Sequence, residues 1–296
     1  MSLKAKAGVA AVVALGCAAG AYYGLRGRPV QSFPEVASAE PPGFHSAPPE
    51  AKPAKGPAQK PAQARDAKKP VPPADPAPAL RAGEVLEYTA NLSKLSNVAN
   101  LKLQVTDRGN YFGKSSWHLQ AFVHTLNPMR IVYELDDQFD SYSEAATLMS
   151  LQYEMHLSER GEKVESRQHM TTTGKEPAPA GVTQARVLPG TRDPLGMMEY
   201  LRNVDWTKTP EVRGPVYEGH KLYEVRAKFE GAAGNVAVPA GSYAAAKIQI
   251  KVFDNGTEMK DAFFTLYLAK NQEKTPVLLE ATLPFADARV ELLNAK

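Results

Sequence analysis

The chain of 296 residues predicts a mainly β protein: a curved antiparallel sheet packed around one short helix, preceded by an N-terminal apolar helix and a disordered Pro-rich linker. Three observations predict it. Beyond residue 82, apolar and polar residues alternate with a period of two in one stretch after another. A single segment, opening at Asp193, changes to a helical period. Of the 24 prolines, 14 fall between Pro29 and Pro78, where there is almost nothing to bury. The chain therefore divides into residues 1–26, a signal sequence or transmembrane anchor, residues 27–81, a tether, and residues 82–296, a β-rich domain.

In the first segment Lys4 and Lys6 precede an uncharged run, residues 7–25, which Arg26 and Arg28 close. At about 1.5 Å per residue that run spans roughly 28 Å, close to the hydrocarbon thickness of a bilayer. Three readings stand. The run is long for a cleaved signal core, and Tyr22 and Tyr23 suit a membrane interface, which favours a retained anchor. Its Ala/Gly composition and the small residues Ala19-Gly20-Ala21 favour cleavage. Ala14-Leu15-Gly16-Cys17 offers a lipoprotein signal with Cys17 as the lipidated residue. Each of the three sends the rest of the chain across the inner membrane, to the periplasmic side of a bacterial envelope. Gly16, Gly20 and Gly24 lie four apart on one helical face, which would let a retained anchor self-associate.

Residues 27–81 carry Pro every few positions and scattered Lys. A chain with so little to bury cannot offset its ordering entropy, so it is expected to stay extended as a spacer.

The domain is read from its periods. Leu101, Leu103 and Val105 alternate with polar residues, as do Trp117, Leu119, Ala121 and Val123, and then Leu151, Tyr153, Met155 and Leu157. Glu159-Arg160-Gly161-Glu162 supplies a turn into a return strand at residues 163–170. Residues 171–192 read as an exposed connection. Asp193 then caps and Pro194 opens a helix of about 11 residues, with Met197, Tyr200, Leu201 and Val204 on one apolar face. Leu222, Val225 and Phe229 mark a further strand. Ile248, Ile250 and Val252 run into Asp254-Asn255-Gly256, a strong hairpin turn, and Phe264, Leu266 and Leu268 return from it. The last strand covers residues 289–293.

Several strings in order resemble an uncharacterised family of exported bacterial proteins, domain of unknown function 3108. They are Gly83-Glu84-Val85-Leu86-Glu87-Tyr88, then Ile131-Val132-Tyr133-Glu134-Leu135-Asp136-Asp137 with Phe139-Asp140-Ser141-Tyr142. Next come Asp193-Pro194-Leu195 running to Tyr200-Leu201-Arg202, and Val238-Pro239-Ala240-Gly241-Ser242-Tyr243. Thr275-Pro276-Val277 and Ala288-Arg289-Val290-Glu291-Leu292 complete the set. The resemblance implies a half-open barrel, a sheet curled around a helix as in LolA/LolB-like lipoprotein carriers. It brings no catalytic residues.

Composition excludes several functions. Residues 1–80 hold ten Lys/Arg against five Asp/Glu, leaving 25 against 27 on the remainder, so the basic excess lies outside the domain and nucleic acid is not an expected partner. Cys17 is the only cysteine, which rules out a disulfide framework and a Cys-based zinc site. His118, His124, His156, His169 and His220 show no metal-site spacing, and His118 and His156 fall on the polar phase of their strands as solvated residues. Asp136, Asp137 and Asp140 lack the glycine turn of a calcium loop. Ser242 has no nucleophile elbow. No cofactor, metal or catalytic set is expected, and the chain does not read as an enzyme. Arg202 is expected to meet the helix dipole or an acidic partner.

Two functions follow. In the first the domain is a non-catalytic module that holds a lipid or lipoprotein acyl chain against Met197, Met198, Tyr200, Leu201 and Trp206. In the second it is an interaction module that uses an exposed strand edge or its outer face to hold an envelope protein.

Overall fold

The computed structural model of the protein describes residues 79–174, 180–283 and 286–296. The expected anchor, residues 7–25 with Gly16, Cys17, Gly20 and Gly24, and nearly all of the expected tether lie outside them.

Thirteen strands form one sheet in the order β7-β6-β5-β4-β3-β2-β1-β13-β12-β11-β10-β9-β8. Along the chain they are β1 (Val85–Leu92), β2 (Leu95–Tyr111), β3 (Lys114–Thr125), β4 (Asp136–Glu144), β5 (Ser150–Glu159), β6 (Glu162–Thr171) and β7 (Thr183–Arg186). After the main helix come β8 (Glu211–Tyr217), β9 (Leu222–Val238), β10 (Gly241–Asp254), β11 (Thr257–Ala269), β12 (Pro276–Leu283) and β13 (Ala286–Ala295). A single helical turn, α1 (Met129–Val132), precedes β4, and α2 (Pro194–Asn203) links β7 to β8. The first and last strands pair with each other in the middle of the sheet, Tyr88 opposite Leu292 and Ala90 opposite Val290. Two meanders therefore grow outward from that pair, and α2 connects their far ends.

Alternation builds the inner face. Trp117, Leu119, Ala121 and Val123 stand opposite Ser143, Ser141, Phe139 and Asp137, and Phe139 stands opposite Met155. On the other meander Ile248 faces Leu266 and Ile250 faces Phe264. These apolar residues share one continuous core with Leu195, Met197 and Leu201 of α2. The two ends of the sheet approach one another. Arg192 forms a parallel bridge with Val216, and Gln168 Nε2 donates to the Gly219 carbonyl at 2.7 Å.

Several expectations are corrected. Residues 171–192 are not simply an exposed connection, because β7 lies within them and pairs in parallel with β6, burying Ala185 and Val187. Four residues are too few for alternation to register. The strand expected near residues 222–229 continues to Val238. Across Gly231 and Gly234, both at positive φ, its register against β10 shifts twice, so glycine bulges bend the long hairpin rather than end it. Strands β1, β4, β8 and β12 had no sequence expectation. Gly214 and Pro215 hide β8, which tolerates them as the outermost strand of the sheet.

Candidate functional site

Polar groups at both ends hold α2 against the sheet. At its start Asp193 Oδ1 accepts from the Gly196 amide at 2.8 Å, while Oδ2 accepts from Ser141 Oγ and Ser150 Oγ, each at 2.5 Å. Burial raises the Asp193 pKa, and these donors oppose the shift. At its end the Arg202 guanidinium, 0% exposed, donates to Glu84 at 2.9 and 3.0 Å, to Glu199 at 2.8 Å and to the Glu273 carbonyl at 2.9 Å. Burial alone would lower its pKa, but the carboxylates of Glu199 and Glu84 hold it above the ordinary arginine value. Arg202 thus meets acidic partners, one of the two expectations for it.

Of the predicted lining residues, Met197, Met198, Leu201 and Trp206 are buried, Leu201 completely. Trp206 Nε1 donates to the Leu201 carbonyl at 3.0 Å. Tyr200 is half-buried, and the Arg192 guanidinium lies 3.7 Å from its ring centroid. All five gather on or just after α2, where they cover the inner face of the sheet.

The outer face carries a second arrangement that no spacing in the sequence announced. His118 is not solvated. Its Nε2 lies 2.8 Å from Asp140 Oδ1, and its ring stacks on Tyr142 with centroids 4.5 Å apart. Gln120 and Gln138 also donate to Asp140, at 2.7 and 2.8 Å. Burial would raise the Asp140 pKa, but these three partners bring it below the ordinary value. Tyr111 and Phe112, from the β2–β3 hairpin, lean on the same Tyr142 ring. The three aspartates do not converge. Asp136 pairs with Arg130 at 2.6 Å, Asp140 lies in the outer cluster, and Asp137 faces inward.

Beside that cluster a groove of about 430 Å³ crosses β3, β4, β5 and β6. Cross-strand register explains its shape. One wall is the row Phe122, Gln138, His156 and Glu165, each opposite the next. The other is His124 opposite Asp136, and Ser158 opposite Lys163. Between them the floor follows the row of Val123, Asp137, Leu157 and Val164. The predicted lining residues of α2 take no part in it.

Under this floor lies a buried acidic pair. The Tyr133 hydroxyl donates to Glu159, and the Ser158 amide donates to Asp137 at 2.9 Å. Burial, with Glu159 nearby, pushes Asp137 up to about 8, and burial also raises Glu159. Among the described residues no group of three or more His, Cys, Asp or Glu is arranged to hold a metal ion.

The strings that carried the resemblance meet in pairs. Glu84 of the first binds Arg202 of the third, and Ser141 of the second binds Asp193. The Tyr88 hydroxyl donates to the Pro276 carbonyl at 2.8 Å, and the Ala240 amide to the Leu292 carbonyl at 3.0 Å. Separation in sequence concealed these contacts, since Glu84 and Arg202 lie 118 residues apart.

Among solved structures the chain is similar to a β-barrel-like protein of domain of unknown function DUF1849 from Brucella abortus, at 11% identity and a TM-score of 0.49, covering 73% of this chain and 97% of that one. It is also similar to a candidate lipoprotein from Parabacteroides distasonis, at 14% identity and a TM-score of 0.33, covering 73% and 96%. A third is a candidate exported protein with a YmcC-like fold from Bacteroides fragilis, at 11% identity and a TM-score of 0.29, covering 73% and 96%. No curated protein matches the chain. The family model described as protein of unknown function DUF3108 matches residues 87–293, nearly the whole folded domain, and the chain belongs to that family.

Proposed function

We propose that the protein is an exported, non-catalytic module of the bacterial envelope, tethered through its N-terminal segment, that binds a partner protein at the β6 side of its sheet. One observation carries this reading: α2 packs into the core on the inner face, while the outer groove runs to the part of β6 that is paired with β5 on one side only. Strand β7 pairs only with residues 168–171 of β6. Among the described residues, nothing pairs with the outer side of residues 162–167. A groove that ends on an open strand edge suits an extended segment, which would gain backbone hydrogen bonds from the edge and side-chain contacts from the groove.

A photoactivatable cross-linker placed at Gln138 or Glu165 of the full chain in cells tests it. Capture of a protein from these two positions, and not from exposed Lys270, is the expected result. A phosphatase fused after Arg81 should be active only on the periplasmic side of the membrane.

The Met197–Met198 pair favours a second reading, in which α2 shifts and an acyl chain lies against Met197, Met198, Tyr200, Leu201 and Trp206. The contacts of Asp193 and Arg202 oppose that movement. Lipid retained by the purified full chain in native mass spectrometry, and released by Leu201→Asp, would make this the better reading. No cross-link from the groove would then be expected.

A further inference from the structure

We infer that the partner at the free part of β6 is a second copy of this chain, paired antiparallel about Val164 so that the two sheets join. This rests on the proposed binding surface and deepens it. Above Arg167 the neighbouring position is taken by β7, whose pairing begins at Gln168, and below Glu162 the strand ends in the Arg160-Gly161 turn. A two-fold axis that keeps both copies within these limits falls at Val164.

In that register Lys163 faces the partner's Glu165, and Glu165 faces the partner's Lys163, on the outer side of the joined sheet. Glu162 faces the partner's Ser166, and the half-buried Val164 faces its own mate. Neighbouring registers do worse. An axis at Glu165 sets Glu165 against itself and Lys163 against Arg167, and like charges directly opposite one another are unfavourable. An axis at Ser166 runs the second copy into β7. Among the described residues Lys163 makes no ion pair, while Glu165, whose side chain is 68% exposed, lies 3.4 Å from His156 Nδ1 and 4.0 Å from Arg167 Nη2 of its own chain, weak contacts that its carboxylate would share with the partner's Lys163. Edge strands in monomeric proteins are commonly guarded by charges. Here the alternating sign at spacing two is self-complementary and does not repel a copy of itself.

Cysteine cross-linking in membranes that carry the full chain tests the register. Val164→Cys should add a disulfide-linked dimer to whatever band wild-type Cys17 gives. Arg167→Cys should add none, because it lies opposite Gly161 and far from its own mate. Lys163→Glu, introduced into the Val164→Cys chain, should reduce the dimer about fivefold, and the further change Glu165→Lys should restore it. No dimer from Val164→Cys, a dimer from Arg167→Cys, or a yield indifferent to Lys163→Glu overturns the proposal. If the dimer is absent while Gln138 and Glu165 still capture another protein, self-pairing fails and the binding surface stands. If neither forms, both fail.

Discussion

Arg202 shows how one side chain determines the position of an element. Its guanidinium joins Glu199 on its own helix to Glu84, which precedes β1, and to the loop before β12. Two buried carboxylates around one cation are stable only while the cation is present. Arg202→Met should therefore cost about 3–5 kcal/mol in urea unfolding, and adding Glu84→Gln and Glu199→Gln should recover much of the loss. Asp137 makes a different prediction. Its pKa rises from 3.8 to about 8 on folding, so the folded state binds a proton that the unfolded chain has released. Stability is then greatest at the acid end and falls as pH rises from about 4 to about 8. Asp137→Asn should flatten that slope, and thermal melts at pH 5 and pH 8.5 would show the two variants diverging at the higher value.

At the scale of elements, α2 and β4 show why some of this fold is readable in sequence and some is not. Helix α2 announces itself through local chemistry: Asp193 at the cap, Pro194 in the first turn and apolar residues three and four apart. The expected helix of about 11 residues is found as ten. Strand β4 lies beside it and gives no such signal. Its inward positions Ser141 and Ser143 are polar because they receive the start of α2, and inward Asp137 lies in the buried acidic pair. Alternation is lost where two elements meet through hydrogen bonds. The candidate site is hidden for the same reason, since the groove walls come from four strands and only register brings them together.

The closeness of that meeting predicts the effect of Gly196→Ala. An added Cβ would lie 2.9 Å from Ser143 Oγ and 3.1 Å from the Leu148 carbonyl. Alanine favours a helix over glycine by about 1 kcal/mol, but overpacking against a backbone carbonyl costs about 1–3 kcal/mol. The variant should be less stable than the wild type in chemical denaturation.

For the whole molecule, the period-two pattern and the single helix were enough to identify a curved sheet around α2. How its ends meet was not legible, because the contacts that join them, among them an isolated bridge between Arg192 and Val216 and the side chain of Gln168, come from segments far apart in sequence. Gln168→Ala should cost about 1–2 kcal/mol by removing a buried hydrogen bond. It should also speed hydrogen exchange at the Tyr217 amide, which donates to the Arg192 carbonyl across the seam, more than at amides of β1 or β13.

The central position of β1 has a mechanical consequence. The described chain begins at Ala79, whose amide donates to Asn203 at 2.8 Å, and passes within a few residues into a strand held by β2 on one side and β13 on the other. Tension arriving through the N-terminal segment would first draw residues 79 and 80 off the end of α2. It would next pull β1 along its own axis, loading both ladders of hydrogen bonds together rather than one bond at a time. Had the chain begun at β7 or β8, the same tension would peel an edge strand. The order of the strands thus places a strand paired on both sides, rather than an edge strand, where a pull from the N-terminal segment would arrive.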